Sequence, residues 1–298
     1  MAAVFALPQS PRQRQTALMV ALWISQPFAA GELIGTRLAD VDNPFRSTVS
    51  IAAWLLWAAV LAAMAVPRPV TLTIVRVGTI GGFVAAIWAA AGVETSITST
   101  VDVVVAAVAV LVTLLPGVGD RFVDGVSYGD EQRFLLKAPG VALMFLVGPT
   151  TAAVLGGLAI GPLLLADTRW VLGALAVVIG FPVAWFAINA LHALTSRFIV
   201  FVPNGVVVHD PTTLLEPVLF VSREIAGLGP ARRDTAGTDL TNQALGLALE
   251  LRLNEPVTVS MVTGRGEAEE QVIRSLLFSP TRPATLLRVA ADRGLPIA

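Results

Sequence analysis

The chain has 298 residues, of which 55% are hydrophobic and only 14% are charged, and its formal net charge is −1. A soluble protein of this length carries about 25% charged residues, so the composition indicates a chain that lies largely in a bilayer. The near-neutral charge argues against a nucleic-acid-binding protein, and the absence of cysteine excludes disulfides, thiolate metal sites and cysteine nucleophiles.

The first apolar segment covers residues 16–34 and is interrupted by Gln26 and Pro27. One interpretation is a retained, irregular first membrane span. The other is a secretory signal peptide with Phe28-Ala29-Ala30 as its cleavage site. Further apolar segments follow at once, which favours the retained span.

Five more apolar segments are predicted to be spans, since about twenty residues cross a bilayer, and the one at 101–116 is shorter than the others. They cover residues 50–66, 70–92, 101–116, 139–166 and 170–191. A charged loop is predicted over residues 117–137. Residues 1–196 are therefore predicted to form a helical bundle of about six transmembrane helices.

The positive-inside rule predicts the orientation of these spans. With the N-terminus inside, the outer loops hold only Arg37, Arg46 and Arg169. The inner segments hold eight basic residues, namely Arg12, Arg14, Arg68, Arg76, Arg121, Arg133, Lys137 and Arg197. Both termini are predicted to be cytoplasmic. A chain rich in Ala, Val and Gly, with arginine in place of lysine, suggests a bacterial inner-membrane protein.

Residues 197–298 change in character and are predicted to form a small β-rich domain. A hairpin is predicted at 198–202 and 206–209, because Asn204-Gly205 supplies the positive φ of a tight turn. Leucines alternate from Leu245 to Leu253, which predicts a strand with one apolar face. Further strands are predicted at 217–221, 257–262 and 272–278, with a turn at 254–256 and a helix at 283–293.

From residue 129 onward the chain resembles bacterial membrane proteins that carry a pleckstrin-homology-like domain. Residues 129–137 stand where the acidic lead-in of that family precedes a pair of spans, and residues 197–208 are similar to its first hairpin. The resemblance covers about 170 residues and implies a pleckstrin-like fold for the β-rich domain. The functions of that family are mostly uncharacterised, so the resemblance implies no reaction.

Gly125-Val126-Ser127-Tyr128-Gly129 matches the nucleophile-elbow pattern of serine hydrolases. His192 and His209 are the only histidines that could serve as its base. A charged sequence, not an apolar strand, precedes Ser127, so a glycine-rich loop is the preferred interpretation and a membrane-bound serine hydrolase is a minor alternative. No catalytic, cofactor-binding or metal-binding residues are predicted, and neither histidine stands in a metal-site pattern.

Ionisable residues inside spans are functional hypotheses by default. Arg76, Glu32 and Asp102 are the candidates, but they form no chain of acids across the bilayer. A transporter or channel subunit is therefore the alternative function. Small-residue patterns at 78–82 and 157–161 predict closely packed helices, either within the chain or in a homo-oligomer.

The preferred function is a non-enzymatic scaffold, sensor or partner-docking protein, with the bilayer and a protein at the cytoplasmic domain as its partners. The β-rich domain has ten arginines and eleven acidic residues, and only Arg232-Arg233 begins a basic pocket. Headgroup binding therefore stays open, and a protein partner is favoured.

Overall fold

The computed structural model describes residues 11–232, 235–262 and 268–298, so Arg233 of the predicted basic pair lies outside the described residues. The described residues form two compact units. The helical unit lies within Met1–Pro67, Thr71–Arg121 and Pro149–Asn189. The β-rich unit comprises Arg68–Val70, Phe122–Gly148 and Ala190–Ala298.

Eight helices precede the main run of strands in the described residues. They are α1 (Pro11–Ile24), α2 (Ala30–Arg37), α3 (Asn43–Ala65), α4 (Pro69–Ala90), α5 (Ile97–Thr113), α6 (Pro116–Asp124), α7 (Val147–Ala166) and α8 (Trp170–Thr195). A five-residue π-helical turn, Ala142–Leu146, leads into α7.

Five helical segments among the described residues are long and apolar enough to cross a membrane. They are Pro11–Arg37, Asn43–Ala65, Pro69–Ala90, Ala142–Ala166 and Trp170–Thr195. Helices α5 and α6 meet at an angle of 56° and would form a sixth segment if they are one broken span. The predicted number of about six agrees with this range.

The first apolar segment is irregular at the predicted position. A 3₁₀ turn at Gln26–Phe28 separates α1 from α2. Proline has no N–H to donate to the preceding turn, so Pro27 ends the regular hydrogen-bond pattern of α1.

The predicted loop at 117–137 was wrong, because this segment contains α6 and the strand β1 (Gln132–Leu135). Helix α6 buries Val118, Phe122 and Val123. Strand β1 pairs with residues more than sixty positions away along the chain. Both elements are short and carry many charges, so neither has a clear periodic signal in the sequence.

The β-rich unit contains two four-stranded sheets. The first has the order β1-β2-β3-β4, all antiparallel, with β2 at Phe198–Val202, β3 at Gly205–His209 and β4 at Val218–Val221. The second has the order β5-β7-β8-β6, with β5 at Ile225–Pro230, β6 at Thr238–Asp239, β7 at Leu249–Val262 and β8 at Ala268–Phe278. Helix α9 (Pro283–Asp292) follows. Three predictions are confirmed: the hairpin of β2 and β3, the short strand β4 and the closing helix α9.

Strand β1 changes the boundary of the β-rich unit. It precedes α7 and α8 in the chain, yet it pairs with β2, which directly follows them. The α7–α8 hairpin is therefore inserted between two neighbouring strands of one sheet. A boundary at residue 197 leaves β1 out of the sheet to which it belongs.

The predicted leucine strand begins later than its alternation indicates. Leu249 and Leu251 are fully buried in β7, whereas Leu245 is 71% exposed and Leu247 is 46% exposed. Asn242, Gln243 and Gly246 all have positive φ, which is incompatible with an extended strand. These residues therefore keep Leu245 and Leu247 out of the strand, and β7 begins only at Leu249.

The predicted turn at 254–256 was also wrong. Strand β7 continues to Val262, and its pairing with β8 shifts register between Arg252 and Val257. The extra residues form a bulge, where a proline is tolerated because no ladder hydrogen bond is required of it. One long strand therefore replaces two predicted ones.

The core of the β-rich unit lies between the two sheets and α9. Its buried apolar residues include Phe134, Ile199, Phe201, Phe220, Leu249, Leu251, Phe278 and Leu286. Phe134 of β1 and Phe201 of β2 pack edge to face, with ring centroids 5.7 Å apart. Strand β1 therefore contributes to the core as well as to the sheet.

Candidate functional site

A buried ion pair occupies the point where the helix hairpin joins the sheet. Arg197 directly precedes β2 and is 1% exposed, and Asp210 directly follows β3 and is also 1% exposed. The guanidinium donates from Nε to Oδ1 of Asp210 at 2.9 Å and from Nη2 to Oδ2 at 2.7 Å. This is the two-pronged geometry that makes Arg–carboxylate pairs strong.

The pair also forms hydrogen bonds to three neighbouring residues. Arg197 donates from Nη1 to the carbonyl of Lys137 at 2.9 Å and from Nη2 to the carbonyl of Leu240 at 2.6 Å. Oδ1 of Asp210 accepts from the amide and the hydroxyl of Thr212 at 3.1 and 2.6 Å. We call these five residues the arginine node.

The arginine node joins segments that are far apart in the chain. Lys137 precedes the helix hairpin and Arg197 follows it, so one guanidinium holds both chain ends at which the hairpin leaves the sheet. Removing one partner from a buried ion pair costs about 3–5 kcal/mol, because the other charge is left buried and unpaired. The node therefore makes the position of the helix ends depend on the integrity of the sheet.

The two sequence-predicted histidines lie in different surroundings. The ring of His209 lies 4.6 Å from that of Phe198, its partner across β2 and β3, and Arg133 lies 5.4 Å from the same phenylalanine ring. Burial lowers the pKa of His209 below its ordinary value; the Arg133 cation lowers it further, and Asp210 opposes both effects. His192 lies near the end of α8, with its ring nitrogens 3.3 Å from the hydroxyls of Thr195 and Ser196.

Ser127 contacts a carboxylate. Its hydroxyl donates to Oδ1 of Asp124 at 3.0 Å, and the same oxygen accepts the backbone N–H of Arg133 at 2.9 Å. These bonds close the turn between α6 and β1. Among the described residues, no group of three or more His, Asp or Glu side chains could hold a metal ion.

The three ionisable residues predicted to lie in spans are on three different helices: Glu32 on α2, Arg76 on α4 and Asp102 on α5. Nε of Arg76 lies 3.5 Å from the carbonyl of Thr113, near the end of α5, which is a favourable place for a cation at a helix C-terminus. Glu32 is exposed and Asp102 is partly exposed. The structure does not bring these three side chains into one described site.

The small-residue patterns lie at helix contacts within the chain. A Cβ at Gly157 would overlap the carbonyl oxygen of Gly180, and a Cβ at Gly161 would overlap Val177, so α7 and α8 approach backbone to backbone. A Cβ at Gly78 would overlap Val60 of α3. Both patterns are therefore explained by intrachain packing.

No protein-family model, no curated protein and no solved structure matches this chain. Its candidate site therefore has to be interpreted from its own residues.

The arginine node is the feature that the sequence interpretation missed. A usable signal existed, because the Asn204-Gly205 turn pairs Phe198 with His209, and the next pair along the same register is Arg197 with Asp210. Opposite charges at facing positions of an antiparallel pair attract each other. The contributions of Lys137 and Leu240 could not be read in this way, because they come from other segments.

Proposed function

We propose that this chain is an integral membrane protein that acts as a non-enzymatic docking protein, with a β-rich, pleckstrin-like domain at the cytoplasmic side. The observation that carries the proposal is the insertion of α7–α8 between β1 and β2, locked by the arginine node. A domain that is tied to two apolar helices at adjacent strands can transmit a displacement of those helices to its own surface.

The pleckstrin-like assignment is supported by two four-stranded sheets followed by a C-terminal helix, since strands followed by a helix is the order that the resemblance implies. Membrane insertion is supported by the length and hydropathy of the helical segments. The hydrogen bond of Ser127 to Asp124, within its own turn, supports a structural role for this serine.

The test is partner capture by the full-length protein in native membranes. Cross-linking followed by purification should recover a partner with the wild type and lose it when residues 197–298 are deleted. The Arg197→Ala variant should also lose it, while Arg169→Ala should retain it, because the Arg169–Asp167 pair is exposed. Equal recovery from the deletion would contradict a docking role for the β-rich unit.

The orientation is tested separately. Reporter fusions after Ala298 and at residue 129 should indicate the cytoplasm, and a fusion near Glu94 should indicate the outside. If α5 and α6 re-enter the membrane without crossing it, the reporters at residues 94 and 129 would indicate the same side. That result would contradict the six-span arrangement without affecting the domain itself.

A further inference from the structure

A cavity of about 300 Å³ lies in the helical unit beside the break between α1 and α2. Its walls come from the break itself and from α2, α3 and α4. An irregular backbone inside an apolar helix bundle is tolerated where it is enclosed by protein or borders a cavity. At this cavity a ligand can therefore contact backbone polar groups that a regular helix would hold in its own hydrogen bonds.

The wall of the cavity is aromatic, and its main donors are already engaged. The indole N–H of Trp23 donates to the carbonyl of Trp57 at 2.9 Å, and that of Trp57 donates to the carbonyl of Trp23 at 3.0 Å. Trp54 packs edge to face on Trp57, with ring centroids 5.6 Å apart. None of the residues that line the cavity carries a charge, which favours a neutral occupant.

Gln26 and Ser50 bring an amide and a hydroxyl into the wall, and Gln26 is the one that lies at the helix break. It is 6% exposed, and its Nε2 donates to the carbonyl of Leu22 at 3.1 Å. Its Oε1 is buried and has no hydrogen-bond partner in the described part of the chain. If the side-chain amide of Gln26 were flipped, its oxygen would face the carbonyl oxygen of Leu22, and both are acceptors. The nitrogen therefore bonds to Leu22, and the oxygen is left without a partner.

Glycines leave room in this wall. Gly31, Gly35 and Gly82 all line the cavity. A Cβ added at Gly35 would meet no atom within 4 Å, so this side of the space is open. A Cβ at Gly82 would lie 3.2 Å from the ring of Trp23, so the space beside Gly82 is already filled.

We propose that this cavity binds a small, neutral, largely aromatic molecule that carries one O–H or N–H donor, and that the donor bonds to Oε1 of Gln26. Binding sites for small molecules are mostly apolar pockets of about this size with few, well-placed polar groups. An unsatisfied buried acceptor discriminates in favour of a molecule that satisfies it, because an analogue without the donor leaves the acceptor unpaired.

The experiment uses two probes with the same ring system on the full-length protein in phosphatidylcholine nanodiscs. 2-Naphthol offers a hydroxyl donor, and 2-methoxynaphthalene has that donor capped. Equilibrium dialysis at pH 7 measures binding, and empty nanodiscs correct for partition into lipid. The wild type should bind 2-naphthol saturably and about tenfold more tightly than 2-methoxynaphthalene, the range expected for one buried hydrogen bond.

Two variants locate the binding. Gln26→Met keeps the approximate size of the side chain and should make the two affinities equal. Gly35→Leu should fill the open side and weaken both probes, while Val178→Ala, on an exposed face of α8, should change neither. Thermal unfolding in nanodiscs identifies any variant that is misfolded, and the wild-type comparison of the two probes stands without the variants.

The proposal is overturned if the wild type shows no saturable binding above the empty nanodiscs. It is also overturned if the wild type binds the two probes equally, because the hydroxyl of 2-naphthol then gains nothing from Gln26. A preference for 2-naphthol that persists in a folded Gln26→Met variant overturns it as well.

Discussion

The two units of this chain differ in how many large apolar side chains they leave exposed. In the helical unit, small residues such as Ala86, Ala89 and Gly161 are buried, while Phe186 and Val178 are exposed. In the β-rich unit, Phe134 and other large side chains are buried. Large apolar residues gain from burial when the solvent is water, but gain nothing from it when the solvent is lipid. The exposed apolar residues of the helical unit belong to a segment that is long and apolar enough to cross a membrane.

Two buried polar sites, one in each unit, differ in how fully they are satisfied. In the β-rich unit, the Arg197–Asp210 pair makes four further hydrogen bonds to three segments. The helical unit leaves the acceptor of Gln26 unpaired beside a cavity. A fully satisfied buried network stabilises one arrangement, whereas an unsatisfied group marks a place where a ligand can contribute.

The largest effect is expected in the buried apolar core of the β-rich unit. Leu249→Asp should unfold this unit, because an unpaired buried carboxylate costs several kcal/mol, comparable to the stability of a small domain. Leu247→Asp is the matched control and should be tolerated, since Leu247 is exposed. Circular dichroism of a soluble fragment, residues 122–137 joined by a four-residue linker to 196–298, measures both. Equal effects would mean that the strand begins at Leu245.

The second prediction concerns β1. The joined fragment should be β-rich and should unfold cooperatively, whereas residues 197–298 alone should be less stable by about 3–5 kcal/mol, because they lack the buried ring of Phe134. Urea unfolding measures the difference. A fragment of residues 197–298 that is as stable as the joined fragment would show that β1 is not part of the core.

The third prediction separates charge from packing at the arginine node. Arg197→Ala should lower the free energy of unfolding of the joined fragment by about 3–5 kcal/mol, because Asp210 is left as an unpaired buried charge. The double variant Arg197→Met with Asp210→Leu should recover much of this loss, since it buries no charge. If the double variant is the less stable of the two, the hydrogen bonds to Lys137 and Leu240 matter more than the charge pair.

The fourth prediction concerns pH. Because the pKa of folded His209 lies below its ordinary value of 6.5, the unfolded chain takes up a proton first as the pH falls. The joined fragment should have its full stability above pH 6.5 and lose part of it as the pH falls from about 6.5 toward 5, above the range in which carboxylates titrate. His209→Gln should flatten the curve over this range. A loss of the same size in that variant would assign the dependence to another group.

The smallest effect is expected at Ser127. Ser127→Ala removes one hydrogen bond to Asp124 and should cost about 1 kcal/mol or less. Purified full-length protein should show no fluorophosphonate labelling that depends on this serine. Labelling of the wild type that disappears in Ser127→Ala would establish a nucleophile and contradict the non-enzymatic function.

Much of the architecture was accessible from sequence because it depends on local or compositional signals. Apolar segments of sufficient length identify helices at once, and Pro27 predicts the break in the first of them. The Asn204-Gly205 turn sets the register of β2 and β3, and with it the facing positions of Arg197 and Asp210. Each of these inferences needs only the geometry of neighbouring residues.

Other features depend on residues that meet only after folding. Strand β1 has four residues and becomes a strand because β2 offers it hydrogen-bond partners across the inserted helix pair. Leu245 and Leu247 follow the same alternation as Leu249, but the left-handed residues around Gly246 turn them out of the sheet.

The cavity at Gln26 is the clearest case. The sequence by itself determined that the helix breaks there, since Pro27 cannot donate a hydrogen bond. Only the tertiary structure decided that Trp23 and Trp57 satisfy each other and that Gln26 is left with an unused acceptor. Hydrogen-bond partners are chosen by distance in space, and distance in space is set by packing.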